Sequence, residues 1–233
     1  MSVPALSAGP TPAVRRVGAG TVLVACLALV IGWDVLGLDF AVAQWSGDES
    51  GFPLRHHWLL TTVLHDGARW LSWALALLLC VGAWRPAGPL ARLPVAQRLQ
   101  LAVSTLVAAA AVSLLKGFSV TSCPWDLQQF GGVAQYVSHW SQLADGGAGH
   151  CFPAGHASSG FVFVAGWFAF RDNDRSHAAT WLAGSLAAGT LLGIAQQLRG
   201  AHFMSHTLWT AWICCATCWA LDGLHRKFAV SEF

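Results

Sequence analysis

Residues 98–116 read RLQLAVSTLVAAAAVSLLK, and no charged side chain stands between the arginine that opens this run and the lysine that closes it. An α-helix needs about 20 mostly apolar residues to cross a lipid bilayer. A stretch of this length and composition therefore predicts a membrane-spanning helix with a basic residue at each end.

The rest of the chain has the same character. Only 10% of the 233 residues are charged and 55% are hydrophobic, whereas a soluble domain carries about a quarter charged residues. We therefore expect an all-α integral membrane protein, with residues 1–233 forming a single domain folded as a six-helix bundle. The five further apolar segments that we expect to span are 17–36, 67–84, 157–170, 178–197 and 205–222.

The basic residues predict the orientation of this bundle. If the six helices alternate in direction, nine of the thirteen Lys and Arg residues fall on one side. Cytoplasmic loops carry an excess of Lys and Arg, so we expect this side, with both termini, to be cytoplasmic. The net charge of +2 gives no reason to expect a nucleic-acid partner. The nine residues are Arg15, Arg16, Arg85, Arg92, Arg98, Arg171, Arg175, Arg226 and Lys227.

The opposite side collects histidines. Eight of the ten histidines fall there, and the four remaining basic residues, Arg55, Arg69, Lys116 and Arg199, lie near the same face. Ionisable groups close to membrane depth are costly and mark functional sites. A cluster of His, Lys and Arg predicts a site for an anionic ligand that faces outward. The eight histidines are His56, His57, His65, His139, His150, His156, His202 and His206.

Three stretches on this face carry a recognisable pattern: K-G-F-S-V-T-S-C-P-W-D at 116–126, C-F-P-A-G-H-A-S at 151–158 and Q-Q-L-R-G-A-H-F-M-S-H at 196–206. Together they resemble the type 2 phosphatidic acid phosphatase (PAP2) superfamily, in particular a bacterial membrane-associated subgroup. The superfamily pattern is K-x6-R-P, then P-S-G-H, then S-R-x5-H-x3-D. The resemblance covers residues 116–206 by motif.

The resemblance implies roles for four residues. It makes Lys116 a phosphate-binding residue, His156 the general acid and His202 the histidine nucleophile, and it places His206 where the family has an aspartate. Free backbone N–H groups near Gly155, where P-A-G-H opens a helix, would also favour an anion. A neutral imidazole can attack phosphorus and hold the phosphoryl group covalently. This chemistry requires no metal and no cofactor.

The sequence departs from the family pattern at three positions. Cys123 stands where the first motif has arginine, Ala154 replaces the serine of the second motif, and Gln196 replaces the arginine of the third. Arg199 lies three residues after Gln196 and could supply the missing guanidinium. These losses leave open a non-catalytic member that binds lipid phosphates. A lipid phosphotransferase and haem ligation by paired histidines are further alternatives.

Two cysteines, Cys123 and Cys151, fall in the expected outer loops, whereas the other five lie within apolar segments. Disulfides form in outer, oxidising compartments. We predict a Cys123–Cys151 disulfide that ties the first motif to the second.

The expected substrate is an amphiphilic phosphate whose head group reaches the interface while its tails stay in the bilayer. The resemblance suggests phosphatidic acid, phosphatidylglycerol phosphate, undecaprenyl pyrophosphate or the lipid A phosphates, cleaved through a phosphohistidine. It also places the protein in the bacterial inner membrane as a multi-pass protein, with its active site facing the periplasm.

Overall fold

A computed structural model describes residues 18–141 and 143–230, and within these ranges the ordered elements are helices, with no strand. A π-helical segment, Leu59–Gly67, runs directly into α3. A single turn of 3₁₀-helix, Val162–Val164, joins α5 to α6. The α-helices are α1 Ala19–Val35, α2 Leu38–Ala43, α3 Ala68–Trp84, α4 Val95–Phe118, α5 Gly155–Phe161, α6 Ala165–Phe170, α7 Arg175–Leu198 and α8 Met204–Val230.

Each of the six apolar segments expected from the sequence is helical where the structure describes it, but only three described helical stretches are long and apolar enough to cross a membrane. These are Leu59–Arg92, Val95–Phe118 and Arg175–Leu198. α1 is apolar but has 17 residues. The structure therefore confirms an all-helical protein with membrane-length helices, while the six-span arrangement stays a prediction. Arg15 and Arg16 lie outside the described residues.

The continuous helical stretch 155–170 forms the centre of the bundle. It packs against α4, α7 and α8, and most of its side chains are buried. It crosses α7 where two glycines meet, because a Cβ placed on Gly160 would lie 2.2 Å from the backbone nitrogen of Gly189. Small residues let helix backbones approach this closely. This short, apolar stretch is thus surrounded on several sides by the longer helices α4, α7 and α8.

The bundle has two chemically different ends. Lys116 near the end of α4, His156 at the start of α5 and His206 at the start of α8 meet at one end. At the other end, the buried carboxylate of Asp222 accepts hydrogen bonds from Arg171 (2.5 Å) and Arg226 (2.9 Å). The first end carries the groups expected to bind an anion, and the second is closed by ion pairs.

Two loop regions, residues 44–58 and 119–153, cover the first end of the bundle, and we call them the loop cap. They share a small apolar cluster with the end of α2 and the turn before α8. The Trp125 N–H of the cap donates to Gly200 O (2.9 Å) in the turn after α7, and the Ala154 N–H, directly after the cap, donates to His206 O (3.3 Å) in α8. The cap is therefore fixed to the helix ends that it covers. The cluster comprises Ala43, Phe52, Leu127, Phe130, Ala134 and Phe203.

Candidate functional site

His202 lies in the short turn between α7 and α8. The end of α7 is closed by two hydrogen bonds, from Gly200 N–H to Gln197 O (2.8 Å) and from Ala201 N–H to Gln196 O (2.9 Å). This is the Schellman arrangement, which requires the left-handed backbone that Gly200 adopts with φ +72°. It turns the chain sharply, so that His202 points back under the loop cap.

The imidazoles of His202 and His206 face each other. His202 precedes the first residue of α8, so the two do not share a helix, yet their Nδ1 atoms are 3.4 Å apart. Both side chains are buried. A proton on Nδ1 of His202 can be donated to Nδ1 of His206, and this tautomer leaves the lone pair of His202 on Nε2. His206 therefore contacts the ring position that an orienting carboxylate would contact.

Burial also sets the protonation state of His202. Loss of solvent, together with the positive charges of Lys116 and neighbouring histidines, holds the pKa of His202 well below its usual value. Burial disfavours the charged form of any imidazole. His202 is thus neutral at physiological pH, which is the form that can act as a nucleophile.

His156 is the second residue of α5 and precedes the expected span 157–170. Its ring stacks on the ring of His65, with the centroids 3.7 Å apart. His65 in turn lies 2.8 Å from a carboxylate oxygen of Asp66. Burial, and after it the charges of His65 and Lys116, lower the pKa of His156 to about 3. The ring is therefore neutral at physiological pH.

Lys116 approaches the start of α5 from α4. Its Nζ donates to His150 O (2.5 Å), and its side chain passes Gly155, where a Cβ would lie 3.4 Å from Cδ of the lysine. A side chain at position 155 would therefore crowd the lysine. The absence of a side chain there leaves the backbone N–H groups at the start of α5 open to a ligand.

Arg199 closes α7 from its C-cap position. Its guanidinium donates to the side-chain oxygen of Gln196 (3.0 Å) and to Arg55 O (3.1 Å). Its charge contributes to the lowered pKa of His156, so the two groups act on the same region. Gln196, which stands at the arginine position of the motif, thus holds the guanidinium of a residue three positions later.

The structure joins Cys123 to Cys151 in a disulfide, with an S–S distance of 2.07 Å, which is the pair predicted from the sequence. The sulfur of Cys151 lies 3.5 Å from Nδ1 of His202. Cys151, His202 and His206 form a group of potential metal ligands. A disulfide sulfur is not a thiolate, however, so this group is not a metal site while the bond is intact.

Sequence reasoning missed the groups behind His206. The side chain of His139, which the sequence placed only among the eight outward-facing histidines, is 5% exposed, and its ring centroid lies 5.7 Å from that of His206. Its Nε2 lies 3.2 Å from a carboxylate oxygen of Asp34 at the end of α1. Asp39 meanwhile accepts a hydrogen bond from the Ser205 N–H (2.9 Å) at the start of α8. An ionisable residue at the end of an apolar segment was the available signal for Asp34.

The fold and the site together define an all-helical protein with membrane-length helices and with histidines and cations grouped at one end. The sequence profile of the PAP2 superfamily matches residues 97–228, more than half of the chain. The chain therefore belongs to the PAP2 superfamily, whose members are generally phosphatases that cleave phosphoric esters. The matched region contains all three motifs. Comparisons with curated proteins and with solved structures gave no match.

Proposed function

We propose that this protein is an integral membrane phosphatase that hydrolyses a phosphate monoester or pyrophosphate of a membrane lipid through a phosphohistidine intermediate. The observation that carries the proposal is the buried pair of His202 and His206, whose Nδ1 atoms are 3.4 Å apart. This contact leaves Nε2 of His202 free to attack. The cations of Lys116 and Arg199 act on the same region as His156.

In the first step, Nε2 of His202 forms a bond to phosphorus while the bond between phosphorus and the lipid oxygen breaks. His156 supplies a proton to the departing oxygen. A bound phosphate brings negative charge beside the imidazole, and an opposite charge nearby raises the pKa of a histidine. Substrate binding therefore favours the protonated form of His156, which is the form that can act as general acid. Lys116 and Arg199 offset the charge on the phosphoryl oxygens.

In the second step, His156, now neutral, accepts a proton from water as the water oxygen attacks the phosphohistidine. The N–P bond breaks and inorganic phosphate leaves, which returns both histidines to their starting state. His206 keeps the His202 proton on Nδ1 in both steps. A second lipid hydroxyl in place of water would give phosphotransfer, because the intermediate can be intercepted by any bound acceptor.

A lipid is favoured as substrate by a groove that begins at His156 and has both polar and apolar walls. A cavity of about 240 Å³ runs from Gly155 and His156 between α3 and α4. Such a groove could hold the first part of an acyl or prenyl chain, while the phosphate lies at the histidines. Its walls include Trp73, Ala76, Leu106, Ala109 and Val162.

The proposal includes a membrane placement. Six spans with both termini in the cytoplasm put the site at the periplasmic face of a bacterial inner membrane. The excess of Lys and Arg in the linkers expected to lie on the cytoplasmic side supports this orientation. So does the disulfide at the site end, since disulfides persist in oxidising compartments.

The test is phosphate release by the protein purified in detergent, measured on phosphatidic acid, phosphatidylglycerol phosphate, undecaprenyl pyrophosphate and lipid A phosphates. We expect release from at least one lipid, lost in His202→Ala and His156→Ala but retained in His56→Ala, whose side chain is an exposed loop histidine. Rapid acid-free quenching with radiolabelled substrate should trap label on wild type and not on His202→Ala.

Other outcomes point elsewhere. If the folded wild-type protein binds lipid phosphates but releases none from the whole panel, it is a non-catalytic member, which the uncharged Cys123 and Gln196 would favour. Label that appears on a second lipid would identify a phosphotransferase. Release that survives in His202→Ala would contradict the assignment of His202 as nucleophile.

A further inference from the structure

The ligand group formed by Cys151, His202 and His206 is a cluster at the site that the phosphatase mechanism does not fully use. Nδ1 of His202 lies 3.5 Å from the Cys151 sulfur and 3.4 Å from Nδ1 of His206. The donor atoms of all three residues lie within 4.8 Å of one another, and all three residues are buried. Among the residues that the structure describes, none forms a hydrogen bond with Nε2 of His206.

These separations suit a tetrahedral metal ion. Zinc binds sulfur at about 2.3 Å and imidazole nitrogen at about 2.0–2.1 Å. Two such ligands at a tetrahedral angle are then about 3.3–3.6 Å apart. The distances from Nδ1 of His202 to the Cys151 sulfur and to Nδ1 of His206 both fall in this range. The bond between Cys151 and Cys123 prevents the sulfur from acting as a ligand.

We propose that reduction of the Cys123–Cys151 disulfide creates a binding site for a thiophilic divalent cation such as Zn²⁺, made of the Cys151 thiolate and the imidazoles of His202 and His206. We further propose that the bound metal inactivates the protein, a part that rests on the proposed function. The fourth position of the metal would be left to water, as three protein ligands usually leave it.

The reductant is a dithiol, and it attacks the more exposed of the two disulfide sulfurs. Cys123 is half-buried and Cys151 fully buried. A thiolate of the dithiol therefore attacks the Cys123 sulfur, the S–S bond breaks and Cys151 leaves as a thiolate. The second thiol of the reductant then displaces Cys123 and closes a cyclic disulfide. Two electrons pass to the protein, Cys123 takes up a proton, and the Cys151 thiolate is free to bind the metal.

Inactivation follows from the tautomer of His202. A neutral imidazole has one N–H and one lone pair. With the metal bound at Nδ1, the remaining proton must stay on Nε2, and the lone pair that would attack phosphorus is lost. The metal also occupies the contact through which His206 orients the nucleophile. The oxidised protein keeps the active tautomer because the disulfide sulfur does not hold a metal.

Two matched variants separate the ligand from the disulfide. Cys123→Ser and Cys151→Ser both remove the bond, but only Cys123→Ser leaves the Cys151 thiol. We expect Cys123→Ser, without reductant, to bind one equivalent of Co²⁺ with visible tetrahedral bands and a near-ultraviolet thiolate-to-cobalt band, both removed by Zn²⁺. Wild type should do so only after dithiol treatment, and Cys151→Ser should show no thiolate band.

Failure of this proposal is visible without any enzyme activity. It is overturned if reduced wild type and Cys123→Ser give no thiolate-to-cobalt band, or if Cys151→Ser gives the same band. If Cys123→Ser does not fold, reduced wild type beside reduced His206→Ala is the test, and loss of the tetrahedral bands in the latter is expected. Phosphate release by Cys123→Ser should fall with Zn²⁺ and return with a chelator. Unchanged release with the metal bound would overturn the inactivation.

Discussion

At the scale of single residues, the site shows how a histidine occupies a position that the superfamily motif gives to aspartate. His206 contacts Nδ1 of His202 as a carboxylate would, at 3.4 Å. Unlike a carboxylate, it brings no negative charge to stabilise an imidazolium. The carboxylate of Asp34 lies beyond His206 and is separated from it by the ring of His139. The carboxylate charge of Asp34 is thus farther from His202, the proposed nucleophile, than the charge of an aspartate at position 206 would be.

Removal of His206 should therefore impair catalysis rather than binding. We expect His206→Ala to lower kcat about 10- to 100-fold, the range seen when a partner that orients a histidine is lost, with KM little changed. His206→Asp should restore much of the rate, because a carboxylate at this position can accept the same proton. Steady-state phosphate release gives both constants. A drop in substrate affinity with unchanged kcat would contradict the orienting role.

The lowered pKa of His202 predicts acid-sensitive stability. In the unfolded chain this histidine titrates near pH 6.5, whereas in the folded protein its pKa is held well below that value by burial. Between the two, the unfolded state binds more protons, so stability is complete above about pH 6.5 and falls as the pH drops below it. The thermal midpoint in detergent should fall from pH 7.5 to pH 5, less steeply in His202→Gln than in wild type. If the thermal midpoint falls equally steeply with pH in both proteins, His202 is not the source of the acid sensitivity.

The sequence could predict the motif-borne residues but not those that surround them. Lys116, His156 and His202 carry a recognisable spacing, and Arg199 was the nearest guanidinium to the lost one. The contact between His139 and Asp34 joins residues 105 positions apart in different elements. No periodicity or motif links them, because only the folded cap brings the loop histidine onto the end of α1.

At the scale of elements, helix existence was predictable while helix ends were not. The apolar pattern located α4 within three residues, because Pro94 and the polar stretch after Phe118 bracket it. The second segment was expected to begin at residue 67, but helical backbone begins at Leu59. The helix starts earlier because Leu59, Leu60 and Val63 extend the apolar pattern towards the N-terminus. The helical backbone continues through Gly67 into α3.

The crossing of α5 and α7 predicts a size limit at one glycine. A Cβ on Gly189 would lie 2.4 Å from the ring of Phe161, whereas a Cβ on Gly184, in the same helix, meets nothing within 4 Å. We expect Gly189→Ala to destabilise the protein by about 1–3 kcal/mol, the usual cost of overpacking. Gly184→Ala should be neutral or slightly stabilising, since alanine favours helix. Thermal unfolding of both variants in detergent would compare them, and equal midpoints would refute the packing argument.

At the scale of the whole molecule, the bundle explains why hydropathy alone does not reveal every expected span. The stretch 155–170 lies at the centre and is mostly buried, so its length does not have to match a lipid-facing surface. α8 is 27 residues long but carries His206 at one end and Asp222, Arg226 and Lys227 at the other. Both helices are stabilised by the helices that pack against them. A hydropathy average along the sequence does not include these contacts.

The proposed orientation has a direct test in living cells. A reporter that is active only in the cytoplasm should be active when fused after residue 233 and inactive when inserted at the exposed Gly146 of the loop cap. A reporter that needs the periplasm should give the reverse result. Activity of the cytoplasmic reporter at Gly146 would place the loop cap inside and overturn the proposed topology.

The uncharged residues Cys123 and Gln196 have a consequence for the end of the reaction cycle. They stand where the motif has two arginines, so Lys116 and Arg199 are the cations of the proposed phosphate site. A hydrolase must also let its product go, and inorganic phosphate is held by the same cations that bind the substrate. With fewer of them, free phosphate should compete weakly. The protein would then keep turning over in surroundings rich in phosphate, where a more strongly cationic site would be saturated by its own product.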